Sequence, residues 1–72
     1  MEHPDTSDLV EALGLAVAMM GAMLEGARVV PRGEVGRKLA MLASVTRETE
    51  PVQADILKQW AAMAAQAGRA PN

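Results

Sequence analysis

The sequence predicts an all-α fold, a three-helix unit with short connectors that pairs into a helical homodimer. Apolar residues recur at helical spacing in three segments, and Gly or Pro residues separate these segments. The run from Ala12 to Leu24 carries no charged side chain, and a helix that is apolar on every side must be buried on several sides. Because 72 residues are too few to enclose such a helix, a second copy is expected to cover it.

Length and composition indicate a single domain over residues 1–72, with 1–7 and 69–72 expected to be disordered. The chain has no cysteine and no apparent metal-ligand cluster or cofactor motif, so self-association is the remaining way to stabilise so small a domain. We expect a soluble cytoplasmic protein. Acidic residues precede the apolar run, where a signal peptide would be basic, and the run is shorter than the ~20 residues that span a membrane.

The first helix is predicted to begin at Asp8, where Asp8-Leu9-Val10-Glu11 resembles a capping box; Asp5 and Ser7 are alternative caps. Carboxylates are favourable there because the helix N-terminus is positive. The helix is expected to end at Gly26, in the left-handed conformation that glycine adopts at low cost.

Two neighbouring lines of residues on this helix predict a dimer interface. The first has the 4-3-4-3 spacing of a coiled-coil seam and consists of Leu9, Leu13, Ala16, Met20 and Met23. The second contains two glycines that would let another helix approach closely, and consists of Val10, Gly14, Val17, Gly21 and Leu24. The predicted dimer interface is Leu9, Leu13, Gly14, Val17, Met20, Gly21 and Leu24.

The second helix is predicted from about Arg32 to Arg47, with Pro31 in its first turn. Its apolar stripe is formed by Val35, Leu39, Leu42 and Val45. The opposite side is basic, through Arg32, Arg37 and Lys38. This side is either a solvated face or a contact with an acidic surface of a partner protein.

The third helix is predicted to start at Pro51, after Thr49 or Glu50 as cap, and to run to about Ala67, with Gly68 closing it. Its expected apolar stripe comprises Val52, Ile56, Trp60, Met63 and Ala67, flanked by Leu57 and Ala64.

Enzymatic chemistry is not expected. The chain has no Cys or Tyr, and its single histidine, His3, stands in the predicted disordered lead-in, so a nucleophile and base cannot be assembled. The carboxylate pairs Asp5/Asp8 and Glu48/Glu50 lie at predicted helix boundaries, where capping explains them. We therefore predict no catalytic, cofactor-binding or metal-binding residue.

Nucleic-acid binding is a weaker alternative. The second and third helices could form a helix-turn-helix, but the recognition helix would begin with Glu50 and Asp55, which repel phosphates. The net charge of −2 supplies no attractive field.

The order of several residues resembles that of a known family. The residues are Glu11-Ala12-Leu13-Gly14-x-Ala16-Val17, Gly26 with Val29, Leu39, Leu42, and Ala54-Asp55-Ile56. Over about Glu11 to Ile56 the chain resembles the YmgB/AriR family of small biofilm-development regulators, which include connectors acting on two-component phosphorelays. The resemblance implies a compact helical dimer that contacts a regulator or sensor kinase. DNA binding has also been proposed for members, and no catalytic residue carries over.

The predicted function is therefore regulation by protein–protein contact without catalysis, with a second copy and a regulatory or sensor protein as partners and a two-component phosphorelay as the setting. Neither a membrane nor a small molecule is expected as a partner. Two alternatives stay open. One is an accessory or chaperone-like subunit that holds a partner helix in a methionine-lined groove; the other is a DNA-binding regulator.

Overall fold

The computed structural model describes residues 6–69, which form three α-helices: α1 (Thr6–Gly26), α2 (Glu34–Thr46) and α3 (Pro51–Arg69). The predicted all-α three-helix fold is confirmed. The helix α3 lies between the other two and contacts both extensively, whereas α1 and α2 have little contact with each other. The resulting molecule is flat, measuring 38 × 36 × 16 Å.

The helix α1 begins two residues before the predicted start, at Thr6, and places Asp8 in its first turn. Thr6 and Ser7 are therefore helical, as is Arg69 at the end of α3, contrary to the predicted disorder of these residues. The rest of the predicted disordered ends, residues 1–5 and 70–72, lies outside the described residues, as do the predicted cap Asp5 and His3.

The end of α1 was predicted correctly in position and wrongly in geometry. Gly26 is the last helical residue, but the left-handed residue is Arg28, with φ 63°. The amide of Val29 donates to the Leu24 carbonyl at 2.9 Å, and that of Arg28 donates to Glu25 at 3.1 Å. This pair of hydrogen bonds defines a Schellman motif, which satisfies the last carbonyls of α1.

The helix α2 begins at Glu34, so the predicted start at Arg32 with Pro31 in the first turn is wrong. Gly33 adopts a left-handed conformation, with φ 83°, and this interrupts any helix running on from Pro31. Gly33 occupies the N-cap position of α2 and has no side chain with which to cap the helix. The Glu25 carboxylate at the end of α1 instead accepts hydrogen bonds from the amides of Gly33, at 3.0 Å, and Val35, at 3.4 Å.

The helix α3 begins at Pro51 as predicted, with Glu50 in the capping position, where its carbonyl accepts the Ala54 amide at 2.9 Å. It does not end at Gly68. The helix continues to Arg69. The lack of a side chain at Gly68 leaves room for the Glu25 carboxylate, since a Cβ built there would lie 2.7 Å from the Glu25 Oε1 atom. Glu25 therefore meets all three helices at one end of the molecule.

Alanine and glycine form the core. Every buried residue between 6 and 69 is one of these two types, and none of the large side chains in that range is fully buried. The buried positions are Gly14, Ala18 and Gly21 of α1, Gly36 and Ala43 of α2, and Ala54, Ala61 and Ala64 of α3. The helices approach closely, but they bury little apolar area, which limits the stability of one copy on its own.

Two predicted apolar stripes differ from the observed packing. On α2 the buried residues are Gly36 and Ala43, so the predicted stripe is shifted by one position, and its members Leu42 and Val45 are exposed. On α3 the predicted stripe faces α1 in part, through Trp60 and Met63, but Val52 is exposed. A single stripe cannot describe α3, because helices pack on two of its sides.

Candidate protein-contact surface

The helix α1 packs on the rest of the chain through the side that carries its buried residues, Gly14, Ala18 and Gly21. A Cβ built on Gly14 would lie 2.6 Å from the Cδ1 atom of Trp60 and 3.0 Å from the Met63 sulfur, so the indole of α3 occupies the space that a side chain would need. Gly21 fits against Val35 of α2 in the same way, at 2.9 Å. The close approach predicted for these two glycines is thus made inside one chain, by side chains of α3 and α2.

Trp60 anchors α1 to α3 through a polar contact as well. Its Nε1–H group donates to the backbone carbonyl of Val10 at 3.1 Å, in a partly buried position. An indole N–H needs a partner when it leaves water, and the carbonyl supplies it. The hydrogen bond and the contact with Gly14 fix the same ring, and together they define how α1 lies on α3.

The opposite half of α1 is exposed and apolar, which we call the outer face of α1. Seven large side chains, exposed by 43–67%, form it: Leu9, Leu13, Leu15, Met19, Met20, Met23 and Leu24. Isolated exposed apolar residues are ordinary on protein surfaces, but contiguous patches of several hundred Å² mark sites of interaction.

Charged residues of α1 lie near its two ends. Asp8 and Glu11 stand in the first two turns, and Glu25 stands in the last. Arg28 is the second residue after the helix and is exposed. Between these ends the helix offers a partner only apolar surface, so binding there excludes water from side chains rather than pairing charges.

An open groove of about 790 Å³ runs between α1 and α3 along one edge of this face. Its lining is Leu15, Ala18, Met19 and Ala22 from α1, and Ala62, Met63, Gln66 and Ala67 from α3. Gln66 is the only polar side chain of the lining. Four of the eight lining residues are alanines, and a groove between small and longer side chains suits the insertion of an apolar ridge from another helix.

The predicted dimer interface divides between two surfaces. Leu9, Leu13, Met20 and Leu24 belong to the outer face of α1, and Val17 is half-buried. Gly14 and Gly21 are buried against Trp60 and Val35 of the same chain, so they are not available to a second copy. The prediction omitted Leu15 and Met19, whose spacing of four residues places them on the groove side of the same helix.

The predicted basic side of α2 is exposed but partly neutralised. Glu34, which the sequence analysis did not weigh, pairs with Arg37 at 3.1 Å and with Lys38 at 3.7 Å. Arg37 also donates to the Arg32 carbonyl at 3.4 Å. Surface ion pairs of this kind contribute about 0–1 kcal/mol each. Arg32, Arg37 and Lys38 thus form one basic surface around a single carboxylate.

The length of α1 bears on whether this helix could span a membrane. By length and composition α1 could cross a membrane, so the prediction that it is too short was wrong on that ground. Core helices and signal sequences meet the same criterion. Its inner side is fitted to Trp60 and Val35, and this is the contact that a membrane-spanning α1 would have to give up.

Comparison of the chain with protein-family models, with curated proteins and with solved structures finds no match. The resemblance to the YmgB/AriR family stays a prediction, and the exposed surfaces of α1 and α2 are the features that indicate a function.

Proposed function

We propose that this protein is a small non-enzymatic regulator that acts by protein–protein contact in the cytoplasm, and that the outer face of α1 is its principal contact surface. One observation carries the proposal. The helix uses Gly14, Ala18 and Gly21 to pack on its own chain and turns its Leu and Met side chains outward. Burying such side chains is favourable by about 1.5–3 kcal/mol each when burial is complete, so a partner gains substantially by covering them.

Self-association is the first contact that we propose for this face. A fold in which the buried residues between 6 and 69 are all alanine or glycine gains most by pairing its large apolar side chains with those of another copy. A homodimer would thus supply the apolar core that one chain lacks.

The second contact is with a regulatory or sensor protein, for which the resemblance suggests a two-component phosphorelay. The basic surface of α2, formed by Arg32, Arg37 and Lys38, is suited to an acidic patch on that protein. Charge complementarity of this kind raises association rates and sets the orientation of the complex.

Sedimentation at micromolar concentration, with two matched variants, tests the role of the outer face. Met20 is 59% exposed and Ala18 is 4% exposed on the same helix. We expect a two-chain mass for the natural sequence and a helical, folded monomer for Met20→Asp. Ala18→Asp should lose helicity, because an unpaired carboxylate in the core costs several kcal/mol. A natural chain that sediments as a monomer would contradict self-association.

The groove beside the outer face favours one alternative, an accessory or chaperone-like subunit that holds an amphipathic helix of another protein. The groove has an apolar lining that includes Met19 and Met63, and flexible methionine side chains can adapt to an inserted helix. Affinity capture followed by mass spectrometry separates the two functions. A sensor kinase or receiver domain supports the regulator, whereas an unfolded or secreted client held through one helix supports the alternative.

A further inference from the structure

We propose that a second copy of this chain covers the outer face of α1 and that the two α1 helices run antiparallel, with Leu13 of each copy opposite Met23 of the other. This inference rests on the proposed contact role of the outer face and specifies its partner and geometry.

The charges at the ends of α1 favour the antiparallel direction. Asp8 and Glu11 are exposed near the N-terminal end, Arg28 is exposed just beyond the C-terminal end, and none of the three forms an ion pair with another residue of 6–69. Parallel pairing would place the acidic turns of both copies side by side. Antiparallel pairing brings each acidic turn to the Arg28 of the other copy and also aligns the helix dipoles favourably.

Glu25 stands at the same end of α1 as Arg28, so antiparallel pairing brings it to the level of Glu11 of the other copy. Its two carboxylate oxygens accept the amides of Gly33 and Val35. The negative charge is therefore directed toward the N-terminus of α2 and away from the outer face.

The spacing of the exposed seam sets the register. Antiparallel helices pair unlike seam positions, which places Leu13 opposite Met23 and Ala16 opposite Met20. Each long Met20 side chain then lies over the small Ala16 of the other copy. Residue numbers that face each other sum to 36 in this register. Asp8 then lies at the level just beyond the end of the other copy's α1 at Gly26, where the chain turns through Arg28.

Charge favours a second copy over a lipid surface. Helices that lie on membranes carry Lys and Arg beside their apolar face, whereas the charged residues within α1 are all acidic.

Cysteine cross-linking reads the direction of the pair, because the natural chain contains no cysteine. Leu13→Cys and Met23→Cys are made as separate variants and oxidised alone and as a 1:1 mixture. The antiparallel register predicts a cross-link between the two variants in the mixture, identified by its mass, and little cross-linking of either variant alone. Disulfides require Cα atoms about 4.4–6.8 Å apart, so thiols offset by ten residues along antiparallel helices cannot join.

Other results would contradict the direction of the helix pair, its register or self-association itself. Cross-linking of each variant with itself would show parallel pairing, and a dimer with no cross-link in any mixture would overturn the register. A monomer in sedimentation would instead contradict the proposed self-association. If that monomer co-floats with vesicles of phosphatidylcholine and phosphatidylglycerol, the outer face binds lipid.

A charge exchange provides an independent check. Asp8→Lys and Arg28→Glu should each weaken the dimer by at least about twofold at low salt, and the double variant should recover most of the affinity. Additive weakening in the double variant would show that the two residues do not face each other.

Discussion

At the scale of single residues, the contacts between helices depend on where side chains are missing. Gly14 leaves room for the Trp60 indole, and Gly26 at the end of the same helix has no neighbour within 4 Å of a built Cβ. The same residue type thus has two roles on one helix, and the same substitution should have opposite effects at the two sites.

We expect Gly14→Ala to destabilise the fold by about 1–2 kcal/mol. The added methyl group overlaps Trp60, and this cost exceeds the roughly 1 kcal/mol by which alanine favours a helix. Gly26→Ala is the matched control and should be neutral or stabilising. Urea unfolding followed by Trp60 fluorescence measures both variants. An emission spectrum and midpoint for Gly14→Ala equal to those of the natural chain would contradict the packing described here.

Glu25 provides a second prediction at this scale. Its carboxylate caps the amides of Gly33 and Val35 from another helix, so Glu25→Ala should cost about 1–2 kcal/mol of unfolding free energy. Glu25→Gln keeps an acceptor oxygen and should lose less. Glu48→Ala, at an exposed position of the α2–α3 turn, serves as the control and is expected to change stability by no more than about 0.5 kcal/mol.

At the scale of helices, α2 packs closely on the backbone of α3 at Gly36. A Cβ built there would lie 3.3 Å from the Ala61 carbonyl oxygen and 3.4 Å from the Ala65 amide nitrogen. These neighbours are backbone atoms of a helix and cannot move aside as a side chain can. Gly36 therefore sets the distance between the two helices.

A larger residue at this position should force the helices apart. We predict that Gly36→Leu lowers the free energy of unfolding by about 1–3 kcal/mol, as overpacking does in well-packed cores. Ala40→Leu, one turn later at an exposed position of α2, should leave it nearly unchanged. Thermal unfolding followed by circular dichroism compares the two. Equal midpoints would mean that α2 and α3 do not pack through Gly36.

The sequence predicted the three helices because their apolar periodicity and the Pro51 start are local signals. It did not predict which stripe of α2 is buried, since Leu42 and Val45 are stronger apolar signals than Gly36 and Ala43, and a close approach of backbones favours the small residues. Nor could it show that Glu25 caps α2, because that contact depends on the turn made by Arg28 and Gly33. For the candidate surface, the sequence predicted the line of Leu and Met residues that is exposed on α1. It placed Gly14 and Gly21 against a second copy, whereas they pack on Trp60 and Val35 of the same chain.

At the scale of the whole molecule, the three basic residues Arg32, Arg37 and Lys38 are exposed, and none of them belongs to the core. We expect a triple variant, Arg32→Glu, Arg37→Glu and Lys38→Glu, to keep its helicity and its mass in sedimentation. The losses are two surface ion pairs with Glu34, about 0–1 kcal/mol each, and the exposed hydrogen bond from Arg37 to the Arg32 carbonyl.

Partner binding by this variant should fall by tenfold or more, because like charges would face an acidic surface. Affinity capture compares it with the natural chain. Capture of the same partner with equal affinity would show that the basic side of α2 is only solvated and would direct attention to the outer face of α1. Loss of retention on duplex DNA with the protein partner still bound would favour the DNA-binding alternative.

The placement of α3 between the other helices has a consequence for biosynthesis. Both flanking helices leave the ribosome before the helix on which they pack, and α1 and α2 have little contact with each other. The inner side of α1, which carries Gly14, Ala18 and Gly21, therefore has no helix to pack on until α3 has been made. Until then α1 is uncovered on its inner side as well as on its outer face, a state in which chains aggregate readily. Stable packing of α1 and of α2 thus waits for translation of all three helices.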